Sequence, residues 1–146
     1  MTANDFALET FLKTRAEAQQ SKDIDALMRH YPPDIVYYDV VPPLRFTGTA
    51  EVRANFLRWF DGYEGPISLD THELTVVTEG DTAFANMLHL DSGTRKGGLQ
   101  SAIWVRETTC LRRTNGQWLI THEHISVPIN PINLQAWLPT EMNQPA

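Results

Sequence analysis

The sequence predicts an α+β domain, with N-terminal helices packed on one face of an antiparallel sheet. Apolar residues recur every three or four positions in the first third of the chain, and the period changes to two from residue 66 onward. Short polar turns separate the later segments, which is typical of an antiparallel meander. The 146 residues suit one domain, so we assign residues 1–146 to a single unit with a C-terminal tail at 130–146.

The first two helices follow from this helical periodicity. In the first helix the apolar positions are Phe6, Leu8, Phe11, Leu12, Ala16 and Ala18. Asn4 or Asp5 is expected to cap it, because their side-chain oxygens accept bonds from unpaired backbone N–H groups. A second, short helix is predicted from Asp23, and Pro32-Pro33 ends it because proline cannot donate the next helical hydrogen bond.

A strand and a third helix come next. Residues 35–41 are rich in β-branched and aromatic side chains, which favours a strand that stops at Pro42-Pro43. Residues 47–49 then open the third helix, and Gly62 is a suitable C-cap.

The remaining segments alternate as strands do. We predict four of them, at Ile67–Val77, Asp81–Leu90, Leu99–Arg113 and Gln117–Val127. Turn residues separate them at 79–81, 91–93 and 114–116, and the last of these contains Asn-Gly, a strong hairpin signal.

Composition excludes several classes of function. The net charge of −6 argues against a surface for nucleic acid or for an anionic membrane, since both need a basic stripe. The N-terminus lacks the features of a signal peptide, and no apolar run is long enough to span a bilayer. Cys110 is the single cysteine, so we expect no intrachain disulfide and a cytoplasmic location.

Alternation sorts the side chains of the last two strands into two faces. One face mixes aromatic and polar groups: Ala102, Trp104, Arg106, Thr108, Cys110, Trp118, Ile120, His122, His124 and Ser126. The other is largely aliphatic: Ile103, Val105, Glu107, Thr109, Leu111, Leu119, Thr121, Glu123, Ile125 and Val127. Ligand pockets set a few polar groups in an apolar wall, so we expect the mixed face to line a pocket.

The closing hairpin resembles that of SnoaL-like domains in the NTF2-like superfamily. Residues 109–128 read TCLRRTNGQWLITHEHISVP, with a basic pair near a glycine turn and then Trp, His-x-His, Ser and Pro. The stretch from Asp23 through Tyr38-Asp39 to Gly48 is similar to the front of the same superfamily. The resemblance implies a cone-shaped barrel, with a curved sheet around the helices, a deep pocket and a homodimer through the outer sheet face.

The superfamily includes ketosteroid isomerase, in which a carboxylate just after the first strand shuttles the proton. Asp39 occupies that place here. Arg15 and Thr108 stand at the places of the isomerase's two neutral oxyanion donors, and neither reproduces such a donor. The resemblance therefore implies proton transfer by Asp39 without ketosteroid isomerase activity.

Three residues are the candidate catalytic group. Asp39 would act as general base, with His124 and Arg106 orienting a substrate oxygen. The alternatives are structural: Asp39 as a turn residue bonded to nearby backbone, His124 satisfied by a carbonyl, and Arg106 paired with Asp39 or Glu73.

Seven further residues are expected to line the pocket and bind the ligand: Tyr37, Trp59, Trp104, Thr108, Trp118, His122 and Ser126. The alternative for the aromatic members is a place in the hydrophobic core. His122 and His124 share a strand face, but no third ligand has a suitable spacing, so no metal site is predicted.

Together these observations predict an enzyme that performs acid–base chemistry of isomerase, cyclase or hydrolase type without a cofactor. The expected partner is a small apolar or polycyclic molecule. The alternative is a module on the same fold that binds a ligand or dimerises without catalysis, because a fold alone does not choose between the two.

Overall fold

A computed structural model describes residues 2–146 and confirms the α+β architecture. The helices are α1 (Ala3–Gln20), α2 (Ile24–Met28) and α3 (Gly48–Asp61). The strands are β1 (Val36–Tyr38), β2 (Phe46–Thr47), β3 (Tyr63–Glu79), β4 (Thr82–Arg95), β5 (Gln100–Thr114) and β6 (Gln117–Ser126). One six-stranded sheet has the order β2-β1-β6-β5-β4-β3, in which only the β1–β6 pair is parallel.

The N-cap of α1 is Thr2, not Asn4 or Asp5 as predicted. The Asp5 amide donates to the Thr2 hydroxyl over 3.1 Å, and the Asp5 carboxylate accepts from the Thr2 amide over 2.8 Å. This capping box satisfies two free N–H groups at once. Gly62 caps the C-terminus of α3 as predicted, and Asp23, near which the second helix was predicted to start, is the N-cap of α2.

The core lies between the helices and the concave face of the sheet. Its fully buried apolar side chains include Leu8, Leu27, Ile35, Val52 and Ile120. Burying each of these side chains contributes about 1.5–3 kcal/mol to stability. In the described part of the chain, no helix is long and apolar enough to cross a membrane.

The turn predicted at 91–93 is wrong, because β4 continues through these residues to Arg95. The chain reverses instead at Gly97 and Gly98, whose φ angles of 96° and 92° suit only glycine. As a result, β4 is longer than predicted at this end, and side chains from its additional residues line one wall of a cavity.

A bulge in β6 breaks the predicted alternation. Cys110 pairs with His122 and Leu111 pairs with Ile120, so Thr121 has no partner on β5. An extra residue reverses which face the following side chains occupy. Ile120 is therefore buried in the core before the bulge, and Glu123 is buried after it.

The tail folds back over the outer face of the sheet. The Trp137 amide donates to the Pro128 carbonyl over 2.8 Å, and Ile129 forms an isolated bridge with Ala136. Trp137 borders a crevice of about 180 Å³ together with Trp104 and Arg106. The outer face therefore meets the tail, while the interior cavity opens elsewhere.

Candidate functional site

A cavity of about 370 Å³ lies between the concave face of the sheet, α3 and the segment after β1. Its wall is mostly apolar, but it carries six Asp, Glu, His or Arg side chains: Asp39, Arg58, His89, Asp91, Arg95 and Glu107. A wider, open groove of about 620 Å³ beside Pro66 has no charged side chain in its wall. The smaller cavity is therefore the candidate site.

A buried ion cluster forms the floor of this cavity. Arg15, which is 1% exposed, reaches from α1 and donates to both oxygens of Glu107 over 3.0 and 2.9 Å. It also donates to Glu123, which is fully buried. Burying one unpaired charge costs several kcal/mol, so each member of this cluster depends on the others.

The two carboxyls of the cluster differ in pKa. Burial would raise the pKa of Glu107, but the charge of Arg15 and the hydrogen bond from His89 outweigh it, and the pKa is lowered. Burial raises the pKa of Glu123. The positive charge of Arg15 acts to lower this pKa, and the negative charge of Glu107 raises it further. The Tyr31 hydroxyl donates to Glu123 over 3.1 Å. Glu107 is therefore the ionised partner of Arg15 near neutral pH.

His89 connects this floor to the side of the cavity. Its Nε2 donates to Glu107 over 2.7 Å, and its Nδ1 lies 3.0 Å from the Thr71 hydroxyl. Burial would lower the pKa of His89, but the hydrogen bond and the charge of Glu107 raise it above the ordinary value. His89 is thus biased towards the imidazolium form.

Asp91 is a carboxyl whose pKa lies near neutral pH. It follows His89 by two residues on the same face of β4, and its Oδ1 is buried with no hydrogen-bond partner among residues 2–146. Burial is the main cause that raises its pKa to about 7. The charge of His89 acts to lower this pKa, and the charge of Glu107 acts to raise it. Near neutral pH this group can both take and give a proton.

Ser101 is a second unsatisfied group in the same wall. It pairs with Gly93 across β4 and β5, two residues along the strands from the pair of Asp91 with Ile103. Its hydroxyl is also buried without a partner in the part of the chain described. Buried polar groups rarely stay unpaired, so a ligand oxygen is the natural partner for both.

Asp39 lines the cavity as the sequence predicted, but its oxygens are occupied. The Val40 amide donates to Oδ1 over 2.6 Å, and the Asn55 amide group donates to Oδ2 over 2.7 Å. Arg58 lies 3.9 Å from the same carboxylate and donates to Asn55 over 2.9 Å. The predicted pairing of Arg106 with Asp39 or Glu73 is not formed.

Tyr37 and Trp59 join Asp39 in the cavity wall, in agreement with the sequence-based expectation. The other predicted site residues lie outside it. Arg106 is exposed and donates to Ser126 over 3.1 Å, and His124 is exposed beside Tyr38 on the outer face. The expectation that Arg106 and His124 face the cavity is therefore wrong.

Four residues that were expected to bind the ligand are also absent from the cavity wall, and the cause differs from one residue to the next. His122 lies outside because its Nδ1 donates to the Val36 carbonyl over 2.8 Å in the neighbouring strand. Trp104 and Thr108 lie on the outer face of β5. Trp118 precedes the bulge and packs against the core under the Arg113 guanidinium, 5.2 Å from it.

Apart from the bulge in β6, the error in the face assignment has one cause. The face described as aliphatic contains Glu107, Thr109 and Glu123, and these polar residues are buried because Arg15 meets them from α1. A signal was present in the sequence: Leu8, Leu12 and Arg15 share the apolar stripe of the first helix. A buried cation on that stripe requires buried carboxylates opposite it.

A metal centre is not formed by these groups. Within residues 2–146, no three His, Cys, Asp or Glu side chains are placed to hold a metal ion. The geometry instead provides titratable side chains of graded pKa around a space for a small molecule.

Comparisons with known proteins agree with this geometry. A family model described as a SnoaL-like domain matches residues 8–130. A structure of an NTF2-like protein of unknown function from Pseudomonas putida KT2440 is 26% identical with a TM-score of 0.87, and the match covers 97% of this chain and 98% of that one.

Two more distant structures share the fold. A ketosteroid isomerase-like protein from Erwinia carotovora atroseptica SCRI1043 is 23% identical with a TM-score of 0.70, over 81% of this chain and 91% of that one. A protein of unknown function with a cystatin-like fold from Nostoc punctiforme PCC 73102 is 16% identical with a TM-score of 0.72, over 90% and 98% of the two chains. None of the curated proteins matches this sequence.

Proposed function

The chain belongs to the SnoaL-like domain family, and we propose that it is an enzyme that moves protons on a small, largely apolar molecule. One observation carries the proposal: a buried carboxyl, Asp91, faces an open cavity with a pKa of about 7 and an unpaired oxygen. A structural carboxyl would have its oxygens satisfied, as those of Asp39 are. We propose that side chains alone perform the chemistry.

In the proposed reaction, ionised Asp91 takes a proton from a carbon next to a substrate carbonyl. The electrons of the broken C–H bond move into the carbonyl group, and the Ser101 hydroxyl donates a hydrogen bond to the oxygen that becomes negative. Neutral Asp91 then returns the proton to a different atom of the substrate. The imidazolium of His89 lies two residues away on the same strand face and stabilises the ionised form of Asp91 between these steps.

Asp39 remains the alternative base. It lines the same cavity, and its side chain is 15% exposed. Its two hydrogen bonds and the nearby Arg58 favour a positioning role, in which Asp39 holds Asn55 and Arg58 at the rim. Asp39→Asn and Asp91→Asn together distinguish the two assignments.

The test is deuterium uptake by 2-tetralone, a bicyclic ketone with acidic C–H bonds, followed by NMR in D2O. The exchange rate above background is expected to rise about tenfold per pH unit and to level off above about pH 7, because ionised Asp91 is the base. Asp91→Asn should lower the rate by about 10²–10⁴-fold. Asp34→Asn, at an exposed aspartate outside the cavity, is the matched control.

These measurements distinguish Asp91 from Asp39 as the base, and an enzyme from a module that only binds a ligand. Loss of exchange in Asp39→Asn, with full activity in Asp91→Asn, would transfer the role of base to Asp39. Binding of 2-tetralone without exchange by the unaltered chain would favour the non-catalytic ligand-binding module.

We also propose that the outer face of the sheet forms a homodimer. Phe84 on β4 and Val77 on the edge strand β3 pair with each other and are 46% and 45% exposed, so together they present an apolar patch on the outer face. Phe84→Glu is expected to shift the molecular mass in analytical ultracentrifugation from dimer to monomer. Equal masses for the variant and the unaltered chain would place the contact elsewhere or rule it out.

A further inference from the structure

Arg95 is the last residue of β4 and lines the rim of the cavity. Its guanidinium lies over the ring of Tyr63, 4.5 Å from the ring centre. Tyr63 is buried and belongs to the core cluster, so it provides a rigid support for the guanidinium. A flexible surface side chain is thereby held at one place on the rim.

Two glycines leave the space that this stack needs. A Cβ atom at Gly93 would lie 2.9 Å from the Tyr63 ring, closer than such atoms approach in proteins. A Cβ atom at Gly62 would lie 3.0 Å from the Arg95 guanidinium. The guanidinium therefore fits between the end of α3 and the Tyr63 ring only because both positions lack a side chain.

Among the described residues, Arg95, like Asp91, forms no ion pair, whereas the other charged groups of the cavity are paired. Arg58 and Asp39 face each other, and His89 and Glu107 are joined in the buried cluster. Over residues 2–146, Arg95 forms no salt bridge, and no protein group accepts a hydrogen bond from its guanidinium. Stacking uses the flat face of a guanidinium and leaves its edge donors free for a planar anion.

The charge balance indicates what that anion is. Asp91 is largely neutral below its pKa of about 7, so Arg95 contributes one uncompensated positive charge to the cavity. One such charge matches a singly charged carboxylate, which a guanidinium binds through two parallel hydrogen bonds. A phosphate dianion would leave one negative charge without a cationic partner in the cavity wall.

We propose that the substrate is a small carboxylic acid whose carboxylate binds the edge of Arg95 while its apolar body fills the cavity towards Asp91. Arg95 and Asp91 lie on the same face of β4, four residues and about 13 Å apart along the backbone. The arginine side chain spans part of that distance, and the cavity of about 370 Å³ admits one or two rings. This inference deepens the proposed function and rests on it for the role of Asp91.

The test compares 2-naphthoate with 2-naphthamide, which has nearly the same shape and no charge, by calorimetric titration at about pH 6, below the pKa of Asp91. The unaltered chain is expected to bind the carboxylate at least about tenfold more tightly, since hydrogen bonds to charged groups contribute that much. Arg95→Gln should lower the affinity for 2-naphthoate about 10–100-fold and leave that for 2-naphthamide within about twofold.

Two variants serve as controls. Arg112→Gln removes an exposed arginine from β5 and should leave both affinities unchanged. Arg95→Lys keeps the charge but loses the planar fork, so it should retain only part of the preference for the carboxylate. Thermal melts of all variants establish that each is folded.

The two proposals fail in different ways. Asp91→Asn is expected to keep the preference for 2-naphthoate while losing deuterium exchange. Three results would overturn the carboxylate anchor, whatever the exchange assay shows. The unaltered chain could bind both probes equally, it could bind neither, or the preference for 2-naphthoate could survive in Arg95→Gln. A preference that depends on Arg95, in a chain without exchange activity, would support the anchor and contradict the catalytic role.

Discussion

Asp91→Asn is expected to make the protein more stable above about pH 7, by about 2–4 kcal/mol in the free energy of unfolding. The pKa of Asp91 is about 7 in the folded chain and has a reference value of 3.8. The folded state therefore holds its proton at pH values where the unfolded state has released it. Each unit of pKa corresponds to about 1.4 kcal/mol, which sets an upper limit of about 4 kcal/mol.

The size of this effect depends on pH. Below about pH 4 both states are protonated at this position, and the substitution should change little. As the pH rises to about 7, the aspartate loses stability because the buried group must ionise, whereas asparagine does not ionise. Urea unfolding at about pH 4 and pH 8 measures the difference, with Asp34→Asn as the control. If the Asp91→Asn variant is less stable than the unaltered chain at pH 8, the ionised carboxylate has stabilising partners in the folded state and the prediction is wrong.

Arg15→Met is expected to produce the largest loss of stability, about 3–5 kcal/mol near neutral pH. The substitution leaves Glu107 and Glu123 buried without their common cation. Glu107 keeps its bond from His89, and protonation of the carboxyls partly relieves the loss of the cation, so the loss of stability should be smaller at about pH 5 than at pH 8. Urea unfolding at both values measures it, and Lys13→Met, at an exposed position of the same helix, is the matched control.

A triple variant keeps this prediction testable if Arg15→Met does not fold. In Arg15→Met with Glu107→Gln and Glu123→Gln, no ionised carboxylate is left at these positions. We expect it to recover most of the lost stability, because neutral amides cost less to bury than unpaired charges. A triple variant as unstable as Arg15→Met would place the cost in packing rather than in charge.

Local patterns in the sequence were sufficient for most of the fold. The three helices, the first strand, the four long strands and the C-cap at Gly62 follow from periodicity and residue type within about five positions, whereas the short strand β2 was not predicted. Asp39, Tyr37 and Trp59 were placed in the cavity correctly because they lie next to strong signals, a double proline and a helix end.

The cavity-facing residues of the long strands were not predictable in the same way. A single unpaired residue, Thr121, reverses the alternation of β6, and no local pattern marks it. Asp91 resembled a turn residue because it precedes Ser92-Gly93, but Gly93 is there to accommodate the Tyr63 ring. That requirement comes from a residue 30 positions earlier and is invisible to a local pattern.

By itself, then, the sequence determined the α+β class, the family and one wall of the cavity, since these depend on interactions between near neighbours in the chain. The tertiary structure alone decided which strand face is buried and which carboxyl is left unsatisfied. The physical reason is the ion cluster: Arg15 is stable inside only because Glu107 and Glu123, 92 and 108 residues later, neutralise it. Long-range charge pairing of this kind sets the faces of the sheet, and burial in the resulting cavity wall raises the pKa of Asp91.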